Sequence, residues 1–250
     1  MNIILSGCLG RLGRAITALV SDMEDIQIAA GGDINENPSS PFPIFGSFGE
    51  LPRSGDVIVD FSSPVITADL LAFAGANKIP VVLSTTGHSA EQLAMIEEAA
   101  KQIPIFASYN MSLGINLLCE LAKTAARVLG GSFDIEVVEE HHNQKVDAPS
   151  GTAIMLANAL SDGLDYEPEY TYNRHEVRRK RGRKEIGMHS IRGGTIIGEH
   201  EIIFAGHDEV VRFSHSIMSK DVFALGALDA ARFIVKQGPG KYTMKDLIKS

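Results

Sequence analysis

Asn2-Ile3-Ile4-Leu5-Ser6-Gly7-Cys8-Leu9-Gly10-Arg11-Leu12-Gly13-Arg14 passes from a short apolar run, through a glycine-rich turn, into a helical pattern. Asn2–Ser6 is compact and rich in isoleucine, as a buried strand requires. From Arg11 to Ser21 the apolar residues Leu12, Ala15, Ile16, Leu19 and Val20 recur at helical spacing, giving one apolar face. A strand, a turn and an amphipathic helix in this order form the first unit of a parallel sheet covered by helices.

The next hundred residues repeat the alternation. Strands are expected at Ile26–Ala30, Val57–Phe61, Val81–Thr85 and Ile103–Ser108. Ser63 followed by Pro64 reads as an N-cap with proline at the first helical position, the helix continuing through Leu70 and Leu71. Ser89 with Gln92 three residues on reads as a capping box, opening a helix with Leu93 and Ile96 inward. Such sheets take ligands at the carboxyl ends of their strands. There the turn supplies Gly7, Gly10 and Gly13, a GxxGxxG spacing, with Arg11 and Arg14 beside it. Glycines let backbone N–H groups approach a pyrophosphate, and the helix N-terminus adds about half a positive charge. Asp33 lies 20 residues after Gly13, at the end of the second strand. A carboxylate there accepts hydrogen bonds from both adenosine ribose hydroxyls and repels a 2′-phosphate, and Ile34 and Asn35 bring no cation to offset it. The expected ligand is a dinucleotide, NADH preferred and NADPH possible.

After residue 110 the rhythm changes. A long helix is expected over Leu113–Leu129, an extended run over Phe133–Glu139, and a helix over Thr152–Leu160. Strand-like runs at Ile186–Ile191, Thr195–Phe204 and Val210–Ser216 follow without intervening helices, which predicts an antiparallel or mixed open sheet. Val222–Val235 reads as a last helix returning to the first domain. The fold class is therefore α/β: a Rossmann-like dinucleotide-binding domain over 1–111 plus 221–250, and a second α+β domain on an open mixed sheet over 112–220. Between the second domain's first strand and its second helix, Glu139-Glu140-His141-His142-Asn143-Gln144-Lys145-Val146-Asp147-Ala148-Pro149-Ser150-Gly151-Thr152-Ala153 concentrates polar chemistry. A histidine titrates near neutrality and serves as acid or base. Lys145 adds fixed charge or a proton. Ser150-Gly151-Thr152 opens a helix, so its N–H groups and hydroxyls suit a carboxylate. The segment fits a small anionic substrate whose transition state needs a proton.

Composition sets bounds. Apolar residues make up 44% of the 250, enough for a sizeable core, so general disorder is excluded. Against 31 Asp and Glu stand 23 Lys and Arg, a net charge of −8, which disfavours nucleic acid and anionic membrane as partners. The one basic cluster, Arg174–Lys184, has few aromatics to stack bases and reads as a solvated mobile loop. Two cysteines, Cys8 and Cys119, build neither a disulfide framework nor a zinc site. The adjacent His141 and His142 lack a third ligand at motif spacing, and the remaining histidines of this half read as surface or core residues, so no metal is expected. The start MNIILSG has no basic region before a long apolar stretch, and no apolar run reaches membrane length, so a cytoplasmic protein is expected. GxxxxGK[ST], GxSxG and HExxH do not occur.

The string Glu140–Ala153, EHHNQKVDAPSGTA, closely resembles the signature of the dihydrodipicolinate reductase family. GCLGRLGR, VDFSSP (Val59–Pro64), STTG (Ser84–Gly87), YNMSLG (Tyr109–Gly114), SIRGGTIIGEHEI (Ser190–Ile202) and KYTMKDL (Lys241–Leu247) follow in the family's order, so the resemblance spans essentially the whole chain. It implies reduction of 4-hydroxy-tetrahydrodipicolinate to tetrahydrodipicolinate with NAD(P)H on the diaminopimelate route to lysine. It also implies a homotetramer built by the second domain's sheet, and closure of one domain on the other. Carried over residue by residue, His141 is the acid/base group and Lys145 the proton donor. His142, Gly151 and Thr152 bind substrate carboxylates. Gly7, Cys8, Leu9, Gly10, Arg11, Leu12, Asp33, Ser84, Thr85, Thr86, Ser108, Tyr109, Asn110 and Met111 line the cofactor. Ser84 stands where the family usually has glycine, Met111 where an aromatic is frequent, and Lys220 where arginine is often found.

Competing classes make different demands. Another Rossmann-type oxidoreductase acting on a small imine or amino acid would keep the glycine loop without needing the histidine–lysine segment. A non-catalytic NAD(P)H-sensing module would bind without turnover. A nucleic-acid binder working through residues 174–184 would show strongly salt-dependent affinity. Asp33 generates a direct test: kcat/KM is expected to be higher with NADH than with NADPH, and a clear NADPH preference overturns that reading of the carboxylate.

Overall fold

The computed structural model describes residues 1–53, 55–176 and 178–249. In chain order the first elements are β1 (Asn2–Ser6), α1 (Arg11–Ser21), β2 (Gln27–Gly32), β3 (Ile44–Phe45), β4 (Val57–Asp60), α2 (Thr67–Asn77), β5 (Val81–Leu83), α3 (Ala90–Ala99) and β6 (Pro104–Ala107). Then come α4 (Leu113–Leu129), β7 (Asp134–His141), α5 (Gly151–Ser161), β8 (Glu169–Thr171), β9 (Glu185–Arg192), β10 (Gly198–Ala205) and β11 (Val210–Ile217). The chain ends with α6 (Asp221–Ile234), β12 (Gly240–Tyr242) and α7 (Met244–Lys249). Two compact units result: Met1–Leu113 with Asp221–Ser250, and Gly114–Lys220.

The first unit holds a seven-stranded sheet in the order β12-β6-β5-β4-β1-β2-β3, every pairing parallel. Apart from the short β12 this is the doubly wound Rossmann order, with the switch point between β1 and β4. Strand alternation explains the two cores. Ile3, Leu5, Val57, Val59, Val82 and Phe106 face α1 and the alanine-rich α6. Ile4, Ile58, Val81, Leu83 and Ile105 face the opposite way, against Leu70, Leu71 and Ala74 of α2 and Ile96 of α3. Small side chains let α6 approach closely: a Cβ on Gly226 would overlap the Met111 carbonyl oxygen.

The second unit holds a five-stranded mixed sheet, β11-β10-β7-β9-β8. β7, β8 and β9 run parallel, and β10 runs antiparallel to both β7 and β11. One face carries Ile135, Val137, Ile186, Met188, Ile202 and Phe204 against Ile115, Leu118 and Ala122 of α4 and Leu156, Ala157 and Leu160 of α5. The opposite face carries Glu136, Glu140 and Glu201 with the exposed Ile191 and Val210.

Several expectations need correction. The extended run continues two residues past Glu139, so His141 ends a strand rather than lying in a loop. After Ser63 the chain makes a 3-10 turn over Pro64–Ile66 before α2 begins at Thr67. The capping box at Ser89 forms with both its bonds, yet Leu93 is 37% exposed and only Ile96 points inward. The basic segment 174–184 does not read as free solvated charge. Arg174 pairs with Glu136 and Glu185, Arg179 with Glu185, and Arg181 with Asp134 and Glu136. Carboxylates on β7 and β9 recruit these arginines; Val177, within the segment, lies outside the described residues. The two- or three-residue strands β3, β8 and β12 lie outside the runs expected to be strands, whereas the equally short β5 falls within one, its run VVL being wholly apolar.

Close backbone contact at the first turn is measurable. A Cβ on Gly13 would overlap the Gly7 carbonyl oxygen and lie 2.6 Å from that of Cys8. Gly13→Ala is expected to cost about 1–3 kcal/mol, as overpacking does, read by urea denaturation. A loss below about 0.5 kcal/mol, typical of unconstrained surface sites, would show that the turn yields without strain.

Candidate active site

In the first unit the carboxyl ends of the parallel strands share one edge, and the candidate cofactor residues lie along it. Gly7 turns the chain at φ 73°, where a Cβ would sit 2.8 Å from the Phe61 carbonyl oxygen, so only glycine fits. Its N–H bonds to Gly32 O at 2.8 Å, tying the turn to the end of β2. Gly10 precedes α1 and offers no side-chain cap, leaving the first-turn N–H groups of Arg11, Leu12 and Gly13 directed outward. The Asp33 carboxylate accepts from Leu9 N at 3.0 Å and from the Asn35 backbone and side-chain N–H groups at 3.1 and 3.2 Å. Asp33 and the glycine turn are therefore brought into contact.

Along the same edge the buried Asp60 accepts from Ser62 Oγ at 2.5 Å and Thr85 Oγ1 at 2.6 Å. Ser84 N bonds to Asp60 O at 3.0 Å and Ser108 N to Leu83 O at 3.2 Å, so the three loops are stepped side by side. Ser84 Oγ is buried without a hydrogen-bond partner, and Thr86 and Tyr109 are exposed. Ser108 Oγ donates to Asn110 O at 2.8 Å. Cys8 and Met111 are buried in the core, so their backbones, not their side chains, face the edge. A cavity of about 740 Å³ opens beside the turn, lined by Cys8, Leu9, Arg14, Asn35, Glu36 and Phe42 among others. Arg14, one of the two cations noted beside the turn in the sequence, lines this cavity, its Nε donating to Leu9 O at 2.9 Å.

In the second unit the histidine–lysine segment starts on β7. Alternation places Glu139 and His141 on the face that Ile135 and Val137 bury. His141 Nδ1 lies 2.5 Å from Glu139 Oε2. Arg192, ending β9, grips the same carboxylate twice, Nη1 to Oε2 at 2.9 Å and Nη2 to Oε1 at 2.7 Å. Ser150 N donates to Oε1 at 3.2 Å. The Ser150 hydroxyl caps α5, accepting from Ala153 N at 3.1 Å, and meets His200 Nε2 at 3.1 Å. The His141 and His200 rings stand edge to face at 5.3 Å. Lys145 Nζ pairs with Asp147 Oδ1 at 2.8 Å. Gly151, at the start of α5, is exposed, with open space where a Cβ would be; Thr152 and His142 are half-buried. Among the described residues, no group of three or more His, Cys, Asp or Glu is placed to hold a metal ion, and no helix is long and apolar enough to cross a membrane.

Two family descriptions cover this chain: Dihydrodipicolinate reductase, N-terminus, over residues 1–111, and Dihydrodipicolinate reductase, C-terminus, over residues 114–248. The chain belongs to the dihydrodipicolinate reductase family. Over 249 residues it is 49% identical to 4-hydroxy-tetrahydrodipicolinate reductase of Caldanaerobacter subterraneus, spanning 100% of this chain and 98% of that protein. A protein of the same name from Clostridium novyi is 45% identical over 249 residues, with the same coverage. Among solved structures, a dipicolinate-bound dihydrodipicolinate reductase from Paenisporosarcina sp. shares the fold, with a TM-score of 0.83, 22% identity and 97% of each chain covered.

The electrostatics of the second-unit cluster in this dihydrodipicolinate reductase family member centre on Glu139. Burial alone would raise its pKa, but hydrogen bonds from Arg192, Ser190 and His141 outweigh that and hold it at about 2. His141 is lowered, chiefly by burial and against the pull of Glu139, with Lys145 and Arg192 adding to the fall. His200 drops to about 4 through burial and its neighbour His141. Both imidazoles are neutral at pH 7.

Sequence reasoning singled out His141, His142, Lys145, Gly151 and Thr152 but gave no role to Glu139, Arg192, Ser190 or His200, and had His200 among the scattered histidines. A signal was present for Glu139: two residues before His141 on one strand, it had to share its face, and a buried carboxylate needs a partner. For His200 the sequence holds no such signal, because β10 meets β7 only in the folded sheet. Buried and neutral, His200 must charge when the protein unfolds in acid. Its lowered folded pKa means its contribution is complete above 6.5 and is lost as pH falls toward about 4. Denaturation midpoints are expected to fall across that window, and His200→Gln to flatten the fall; an unchanged slope in the variant would place the titration elsewhere.

Proposed function

We propose that this protein reduces 4-hydroxy-tetrahydrodipicolinate to tetrahydrodipicolinate with NAD(P)H, NADH preferred, on the diaminopimelate route to lysine in the cytoplasm. The observation that carries the reading is full-length identity of 49% to a reductase of that name, joined to a second-unit site whose chemistry suits the reaction. Replacing the substrate hydroxyl by hydrogen is loss of one water and gain of a hydride and a proton. The nucleotide supplies the hydride when bound. The proton comes from the chain, and His141 and Lys145 are the groups placed to handle it. The substrate is a dicarboxylate, and the capped start of α5, with Gly151 open to solvent and Thr152 and His142 nearby, suits a carboxylate.

In this reading residues 1–111 and 221–250 bind the dinucleotide. Gly7–Leu12 take the pyrophosphate, Asp33 takes the adenosine ribose, and Ser84–Thr86 with Ser108–Met111 take the nicotinamide end. A carboxylate offers about four acceptor sites. Asp33 uses three of them, and displacing the Asn35 amide frees another for the ribose. Residues 112–220 bind substrate and assemble a homotetramer, a role that Ile191 and Val210, 46% and 54% exposed on the sheet face opposite the helices, support. A non-catalytic NAD(P)H sensor would have no use for the histidine and lysine at that helix start.

The wild-type protein is expected to oxidise NADH only when freshly generated 4-hydroxy-tetrahydrodipicolinate is present. His141→Ala and Lys145→Ala are each expected to lower kcat by about 10²–10⁴-fold, the usual worth of acid–base help, while NADH affinity measured by fluorescence holds. Near-wild-type turnover in both variants removes these groups from the chemistry.

A further inference from the structure

We infer that Glu139 is a positioning residue of this site: it fixes His141 as the Nδ1–H tautomer and ties that ring to the start of α5. The inference rests on the proposed reductase reading for its catalytic consequence, but its structural core stands on the geometry. Glu139 is 1% exposed, and Arg192 Nη1 and Nη2, Ser150 N and His141 Nδ1, with Ser190 beside them, occupy the roughly four acceptor sites of a carboxylate. Two of those partners belong to a guanidinium fork, which sets the plane of the carboxylate as well as its charge. An ionised carboxylate only accepts. The hydrogen between Glu139 Oε2 and His141 Nδ1 therefore belongs to the ring, and in neutral imidazole Nε2 is left bare.

The bare nitrogen has space kept for it. Gly198, at the start of the neighbouring β10, lies beside His141, and a Cβ there would approach Nε2 to 3.2 Å. The carboxylate's other oxygen holds Ser150 N, so one rigid group sets both the ring and the helix start that receives a carboxylate. Arg192 extends the brace, with Nη2 donating to Asp147 O at 2.7 Å and so gripping the loop that carries Lys145. Stability alone does not account for the arrangement, because a buried ion pair is often matched or exceeded by apolar residues of similar volume.

Glu139→Gln tests the tautomer directly. A glutamine with its carbonyl in the Oε1 position keeps the bonds from Arg192 Nη2 and Ser150 N, gives up the one from Arg192 Nη1, and turns its NH2 toward His141, so Nδ1 becomes the acceptor and the hydrogen moves to Nε2. Ring ¹⁵N–¹H spectra of the full-length protein are expected to show Nδ1–H in the wild type and Nε2–H in the variant. Turnover is expected to fall on the order of 10²–10⁴-fold, as when the carboxylate orienting a catalytic histidine becomes an amide, with KM for NADH unchanged. Should the single variant fold poorly, Glu139→Gln/Arg192→Gln removes both charges. Its stability is expected to recover while turnover stays low and the tautomer stays inverted. An unaltered Nδ1–H tautomer in Glu139→Gln, or turnover restored along with stability in the double variant, overturns the inference. A wild-type protein inert toward the hydroxylated dicarboxylate would sink the reductase reading instead, and the ring spectra would still decide the role of Glu139.

Discussion

A carboxylate without water must be surrounded by donors, and the second unit is arranged around that requirement. Glu139 sits near the end of a central strand, on the face that carries the apolar core, and is 1% exposed. An uncompensated charge there would cost several kcal/mol. Donors arrive from three directions: Arg192 at the end of the parallel neighbour β9, Ser150 at the entry to α5, and His141 on the same strand. Each donor anchors a segment that would otherwise be free to move: the strand end, the helix start, and the residues between. The loop 142–149 is thus held at both ends by one side chain, and the polar chemistry it carries inherits a defined geometry.

The first unit solves a similar problem. Asp60, 2% exposed at the carboxyl end of β4, draws in Ser62 and Thr85 from two adjoining loops. In both units a buried acid at a strand end converts the regularity of a sheet into a fixed arrangement of loops. Backbone contact adds the rest, with Gly7 and Gly13 allowing the first turn to fold against β4 and onto itself. Rigid strands bearing short, pinned loops are what a site needs if its groups are to meet a ligand without reorganising.

Much of this was legible in the sequence where the signal is local. The Asn2–Ser6 strand, the Arg11–Ser21 helix, the Ser89 capping box and the Leu113–Leu129 helix depend on neighbours within a few residues, and all are present as read. Leu93 failed because a helical stripe has an edge, and periodicity does not say how far the core extends around it. The arginines of residues 174–184 failed for a different reason. Arg174 and Arg181 find Glu136 and Asp134 about forty residues away in sequence, while Glu185, just past the run, takes Arg174 and Arg179 only once β9 turns it inward, and a charge run looks solvated until the counter-charges are placed. His200 is the extreme case, since only the pairing of β10 with β7 brings it beside His141. The polar string announced that chemistry was there, but the groups that brace it come from strands whose register the string does not encode.

Charge balance bears on how the site meets a dicarboxylate. Glu139 and Arg192 neutralise one another, and both imidazoles are uncharged at pH 7. The remaining cation, Lys145, is paired with Asp147, which is 54% exposed. A pair open to water is worth little, roughly 0–1 kcal/mol, so a ligand carboxylate can take the place of Asp147 at small cost. The buried pair cannot be exchanged this way, because separating it would strand a charge in the core. The two ion pairs therefore differ by their burial: one is fixed and holds the imidazole, and the other, open to water, is the one that can exchange its partner.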